Sequence, residues 1–267
     1  MDTEDPLALL CHELPLVTSR LADLVVSAPN LSVMARQSEW TVREVAVHVA
    51  VGARCFAELA ELEPGQSAGV DGWAGLSEAM ARRVADITEN DPAKLGALLQ
   101  DAVEDFTEAW AERPGTYPVD LAGFPATLHV LAGVLMGEVV VHGYDMAYGL
   151  GRPWPIDPGH AGLILGGYAP ILPTIVNSER AKGHTAGYAI DFGGGPVLVL
   201  RFTDGVLGLE APGSAPVDVT ICAHPVAYLL VAEGRISRYE AIALGLLSAK
   251  GDRPELAVGF WDLFLHA

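Results

Sequence analysis

The sequence predicts an α+β protein: an up-and-down bundle of long helices over residues 1–152, then a smaller α+β domain with an antiparallel sheet over residues 153–267. Three observations carry this reading. Apolar residues recur at helical spacing in long segments through the first half. Short β-rich runs bounded by turn residues dominate the second. Between them, residues 149–158 concentrate glycine and proline, as a domain boundary does.

The elements follow in order. Residues 6–27 carry Leu and Val at helical spacing and end near Pro29-Asn30. A second helix opens at Thr41-Val-Arg-Glu44, a capping box with the hydroxyl at N-cap and the carboxylate at N3, and runs to Glu63 before Pro64-Gly65. Segments 75–89 and 92–112 read as helices, the latter started by Asp91-Pro92 as N-cap and N1. An apolar helix over 125–148 completes the first half. Asp157-Pro158 opens a helix over 158–178. Strands are predicted at 186–192, 197–203, 206–210 and 217–223, with Asp204-Gly205 as a two-residue hairpin turn. Helices at 225–232, after the capping box Ser237-Arg-Tyr-Glu240, and at 254–264 close the chain.

Composition narrows the function classes. The formal net charge is −18, with 34 acidic against 16 basic residues, so the surface repels phosphate backbones and anionic lipid. Neither nucleic acid nor a membrane surface is an expected partner. The apolar run 121–150 contains His129, Glu138, His142 and Asp145 and lacks flanking basic clusters, so it reads as a core helix and not a membrane span. Cys11, Cys55 and Cys222 are odd in number and far apart, which excludes a disulfide framework and a thiolate zinc knuckle. With an acidic N-terminus where a signal peptide is basic, the expectation is a reduced, cytoplasmic protein, monomeric or dimeric.

One residue stands against its surroundings. Glu138 lies among valines, and a bare buried carboxylate costs several kcal/mol or more. His142 and Asp145 follow at i+4 and i+7, so all three share one helical face. A catalytic zinc site needs three protein ligands and an open position, so a third ligand must come from another helix. His48, in Val45-Ala-Val-His48-Val-Ala-Val, is the leading candidate, and Asp145 is placed to accept the free ring N–H of His142. Such N and O donors suit Zn²⁺, Ni²⁺ or Fe²⁺. Glu44 shares the Glu-x-x-x-His spacing with His48 but is already used by the capping box. His129 is about 180° round the helix from Glu138, and Cys55 lies about 10 Å along the axis from His48, so both are read as structural.

The stretches Glu39-Trp40-Thr41-Val-Arg-Glu-Val-Ala-Val-His48-Val-Ala and Gly137-Glu138-Val-Val-Val-His142-Gly-Tyr-Asp145-Met-Ala resemble the mycothiol-dependent maleylpyruvate isomerase family, within the DinB-like four-helix-bundle metalloenzymes. That family has a Trp-Thr-Val-x-[Asp/Glu] helix start leading to a His, then Glu-x-x-x-His-Gly-[Trp/Tyr]-Asp-x-Ala, and both match in order and spacing. The second half, with Val217-Asp-Val-Thr, Leu229-Leu-Val-Ala-Glu-Gly234-Arg235 and Gly251-Asp252, resembles the sterol-carrier-like domain that accompanies such bundles. The resemblance implies a divalent metal, typically zinc, held by His48, Glu138 and His142, and mycothiol as thiol cosubstrate.

The implied chemistry is attack of a metal-activated thiolate on an electrophilic small molecule, giving isomerisation or S-transfer. A metal-dependent hydrolase using activated water and a non-catalytic small-ligand or lipid-binding protein remain the alternative classes, since the three ligands are common to several outcomes. A dicarboxylate substrate calls for a bidentate arginine. Arg201, Arg235 and Arg238 are candidates, with Arg235 favoured at the family-like Gly-Arg position after a helix, and Trp40, Tyr144 and Tyr148 are candidate pocket walls.

Overall fold

The computed structural model describes residues 6–36, 39–111, 113–194 and 198–265. The chain divides into two compact units, Met1–Ile156 and Asp157–Ala267. In the first unit, α1 (Pro6–Val26), α2 (Val42–Glu61), α4 (Pro92–Trp110) and α5 (Leu128–Gly149) form a four-helix bundle, in which α1 and α2 each pack against both α4 and α5. The fifth helix, α3 (Gly72–Asp86), packs on α2 and buries none of its residues. It lies outside the bundle, against α2, the bundle helix it contacts most.

The helix starts follow the sequence signals closely. Thr41 accepts from the Glu44 backbone while the Glu44 carboxylate accepts from Thr41, a complete capping box. Asp91 accepts from Ala93 and Lys94 with Pro92 just inside the helix. α5 is long and apolar enough by composition to cross a membrane, and 83% of its most apolar window is buried inside the protein.

The predicted start of α5 was three residues early, because a hairpin precedes it. β1 (Pro118–Leu121) pairs antiparallel with β2 (Phe124–Thr127) across Ala122 and Gly123, both at positive φ (55° and 86°). Thr127 then caps α5, accepting from Val130 at 3.4 Å.

In the second unit, α6 (Pro158–Tyr168) stops short of the predicted 178 and continues as a 3-10 segment, Ala169–Ile175. Pro170 and Pro173 each remove an N–H that an α-helix needs. A one-turn helix, α7 (Ser178–Ala181), leads into the sheet. The strands β3 (Ala186–Asp191), β4 (Leu198–Thr203), β5 (Val206–Glu210), β6 (Val219–Ala223) and β7 (Leu247–Gly251) lie in the order β5-β4-β3-β6-β7. The predicted strand over 197–203 starts at Leu198, and Val197 lies outside the described residues. Asp204 and Gly205, at φ 49° and 84°, make the β4–β5 turn.

The sheet is mixed, not wholly antiparallel as expected: β3 and β6 pair in parallel. After the edge strand β5, the connection through Pro212, Gly213 and Pro216 carries the chain back across to the far side of β3, where it runs in the same direction. β7 escaped detection because one of its five residues is buried and four are exposed, so no alternation marks it. Two helices stand between β6 and β7: α8 (Pro225–Ala232) and α9 (Arg238–Ala243), the latter capped by Ser237. The continuous helix predicted at 254–264 is instead a single turn, α10 (Leu256–Gly259), and a 3-10 turn, Phe260–Leu263. Turning there lets Phe260 reach the ring of Tyr188, 5.0 Å between centroids, in an aromatic core that also holds Phe202 and Phe264.

Candidate metal centre

The site is built where α2 meets α5. The capping box fixes the first turn of α2, which sets the rotation of His48 nearly two turns on. Hydrogen bonds from the Thr41 backbone and hydroxyl hold the Glu44 carboxyl below its ordinary range, so Glu44 is occupied with the cap. On α5, 3.6-residue periodicity stacks Glu138, His142 and Asp145 along the face toward α2.

The three expected ligand atoms converge. Glu138 Oε2 lies 3.1 Å from His48 Nε2 and 3.2 Å from His142 Nε2, and all three atoms fall within 4.8 Å of one another. Two ligands bound at about 2.0 Å with tetrahedral angles stand about 3.3 Å apart, so the donor spacing fits a small divalent ion. The imidazole rings meet edge to face at 5.1 Å. Their side chains are 18–29% exposed, so Glu138 is half-buried and opens outward from its valine neighbours.

Electrostatics follow from this clustering. Burial raises the Glu138 carboxyl, but hydrogen bonds from His142 and His48 and their charge outweigh it and hold the group far below its ordinary value. Burial lowers the His142 imidazole, yet Asp145 and Glu138 together push it up to about 9. Asp145 is 1% exposed and its Oδ2 lies 3.3 Å from His142 Nδ1, close but out of line for a strong hydrogen bond. It stands on the side of the ring away from Glu138. That arrangement leaves Nε2 as the ligating nitrogen.

His48 Nδ1 is buried without a hydrogen-bond partner among the described residues. Trp40 covers this ring instead, 4.8 Å between centroids. The sequence marks Trp40 only as a candidate pocket wall; its contact with His48 is a feature of the tertiary structure. An aromatic residue directly before an N-cap commonly folds back on the first turns, which was the available signal.

Other singled-out residues lie elsewhere. The Arg36 guanidinium sits 4.2 Å over the Tyr148 ring and 5.6 Å over Tyr144, and the Arg36 backbone donates to the Asp145 carbonyl at 3.0 Å. Cys55 accepts from Arg83 at 3.2 Å, and burial pushes its thiol up, which disfavours the thiolate. Arg235 belongs to the second unit, in the turn after α8, where its Nη1 donates to the Glu233 carbonyl. Arg201 is paired with Glu210 at 2.7 Å, and Arg238 grips Asp262 with two bonds of 2.9 and 3.1 Å.

Comparison with known proteins points one way. The family model described as the mycothiol maleylpyruvate isomerase N-terminal domain matches residues 14–147. Two crystal structures of the mycothiol-dependent maleylpyruvate isomerase, one a histidine-to-alanine mutant, are similar at 18% identity, with TM-scores of 0.51 and 0.52. The similarity spans 91% of this chain and 90% of each of theirs, and at this identity it shows a shared fold. A ubiquinone synthesis protein, UbiJ-SCP2, aligns over 38% of the chain with 20% identity and a TM-score of 0.31, which carries no argument. No curated protein matches.

Proposed function

The chain belongs to the mycothiol maleylpyruvate isomerase N-terminal domain family, and on that premise we propose that it is a metal-dependent, mycothiol-using enzyme acting on a small electrophile, by cis–trans isomerisation or S-transfer. The observation that carries this reading is one carboxylate oxygen of Glu138 facing two imidazole nitrogens from different helices at 3.1 and 3.2 Å. His48, Glu138 and His142 would hold the divalent ion, zinc by donor type and spacing. A bound ion there would supply Lewis acidity, which would favour the thiolate form of a nearby thiol at neutral pH.

The residues of this chain do the rest. Glu138 contributes the negative charge that offsets the ion, and Asp145 keeps His142 turned with Nε2 inward. Trp40 fences His48 from water. The thiolate sulfur forms a bond to one carbon of a conjugated cis double bond, and the electron pair moves onto the substrate carbonyl. Rotation about the new single bond, return of the pair and loss of the sulfur give the trans isomer and regenerate the thiolate. Where the electrophile carries a leaving group, the C–S bond stays, the leaving group departs with its bonding pair, and the thioether is the product. Arg235 is the guanidinium we assign to a substrate carboxylate, for its family-like Gly-Arg position and because a guanidinium can hold a carboxylate with two bonds.

The test combines metal analysis of the purified protein with conversion of maleylpyruvate in the presence and absence of mycothiol. Stoichiometric divalent metal with thiol-dependent turnover or thiol consumption supports the reading. Protein that folds without retaining metal, or turnover indifferent to mycothiol, overturns it.

A further inference from the structure

Beside the metal centre lies a cleft of about 470 Å³ between the start of α2, the end of α3 and the loop to α4. Trp40 lines it, and the same ring lies 4.8 Å from that of His48, so one side chain borders both the cleft and the centre. Ala81 and Val84 of α3 make an apolar floor, while Thr88 and Asn90 form a polar lip. Arg43 stands at its side with a guanidinium fixed in place: Nε donates to the Glu89 carbonyl at 2.8 Å and Nη2 to that of Ile87. Nη1 has no partner among the described residues, so a rigid donor is left for a ligand.

This lining selects a ligand class. The cleft is too open and too polar to enclose a lipid chain, and a single cation already shared with two carbonyls is a weak clamp for a dianion. An indole face, an apolar floor and scattered hydrogen-bonding groups, the cap-bound Glu44 carboxylate among them, suit a polyol ring. Such a ring presents C–H faces to the aromatic and hydroxyls to the rim.

We propose that this cleft seats the sugar-like, polyhydroxylated part of the thiol cosubstrate whose sulfur reaches His48, Glu138 and His142. The proposal rests on the thiol-using reading above. It assigns Trp40, Arg43, Thr88 and Asn90 to recognition of the cosubstrate, a task separate from holding the metal.

Two variants on exposed positions test it without touching the core. Ala81→Trp fills the cleft from the surface of α3, and Thr88→Val removes one hydroxyl from its lip. Binding of mycothiol and of N-acetylcysteine, which carries the thiol without the polyol, is measured by titration calorimetry on metal-loaded protein. Ala81→Trp should weaken mycothiol by about tenfold or more, equivalent to 1.4 kcal/mol, with N-acetylcysteine binding and metal content unchanged. Thr88→Val should weaken mycothiol alone by a few-fold, the size of one hydrogen bond. Mycothiol binding unchanged in both variants, or equal weakening of both thiols, overturns the assignment. If the unmodified protein binds N-acetylcysteine but mycothiol no better, the cleft proposal fails while the thiol-using reading stands. If it binds neither, the thiol-using reading itself fails and the cleft assignment with it.

Discussion

Glu138 Oε2 sits within 3.2 Å of both His48 Nε2 and His142 Nε2, joining two helices through one atom. With no ion between them the three groups satisfy one another as a carboxylate hydrogen-bonded to two imidazoles; the proposed ion would take them as ligands with little movement. A site of this kind is preorganised, and its variants should separate metal binding from folding.

Glu138→Gln keeps the shape and removes the charge, and His142→Ala removes one donor. Each should lose stoichiometric metal, a larger effect than the roughly 10–100-fold typical of an outer partner. Far-UV circular dichroism should stay helical, because the bundle core of buried Leu, Val and Ala is untouched. Full metal occupancy in either variant, read by elemental analysis, would sink the ligand assignment.

Asp145→Asn removes the charge beside His142 Nδ1 while keeping the volume. Metal affinity should fall by about 10–100-fold. Affinity equal to that of the parent protein would make Asp145 a buried helix residue with no role in orienting His142.

The metal-free protein has a defined pH dependence. His142 is raised from 6.5 to about 9, so its stabilising interaction is fully present below pH 6.5 and is lost as pH rises through 9. Glu138 is depressed, so its contribution is present above its ordinary pKa of 4.5 and is lost only in strong acid. Metal needs the neutral imidazole, so apparent affinity should climb between pH 6.5 and 9 by up to about tenfold per unit, with proton release on binding. Calorimetry in buffers of different ionisation enthalpy measures that release; a flat profile refutes the coupling.

Gly143, next to His142, faces Trp154 so closely that a Cβ there would lie 2.2 Å from the indole. Trp154 is itself pinned, donating to the Val140 carbonyl at 3.0 Å under the Arg20 guanidinium at 3.6 Å. Gly143→Ala gains about 1 kcal/mol of helix propensity but forces a ring that cannot retreat, an overpacking cost of about 1–3 kcal/mol. The clash should win, giving a lower Tm in thermal unfolding. A raised Tm would show that the indole moves freely.

Arg235→Ala tests the assigned clamp. KM for a dicarboxylate substrate should rise at least about tenfold, the loss expected of a charge-assisted bond, while metal content stays stoichiometric. Unchanged KM and kcat would remove Arg235 from the reaction.

Helix starts were legible because their causes are local. Thr41, Asp91 and Asp157 each satisfy backbone donors two or three residues away, and those contacts need no partner from another element. The hairpin before α5 and strand β7 were not, since neither has a buried alternating face of useful length. Parallel pairing of β3 with β6 depends on where the chain crosses after β5, which no window of residues records.

Sequence alone determined that α5 carries Glu138, His142 and Asp145 on one face, because helical periodicity is a property of neighbouring residues. It also determined that the carboxylate needs a partner, because burying charge is costly wherever the helix lies. Only the tertiary structure decided that His48 closes on Glu138 at 3.1 Å, that Trp40 covers His48, and that the Trp40 ring also borders a cleft. Those relationships span up to ninety residues and depend on how α2 and α5 pack, which is set by the sum of the bundle core.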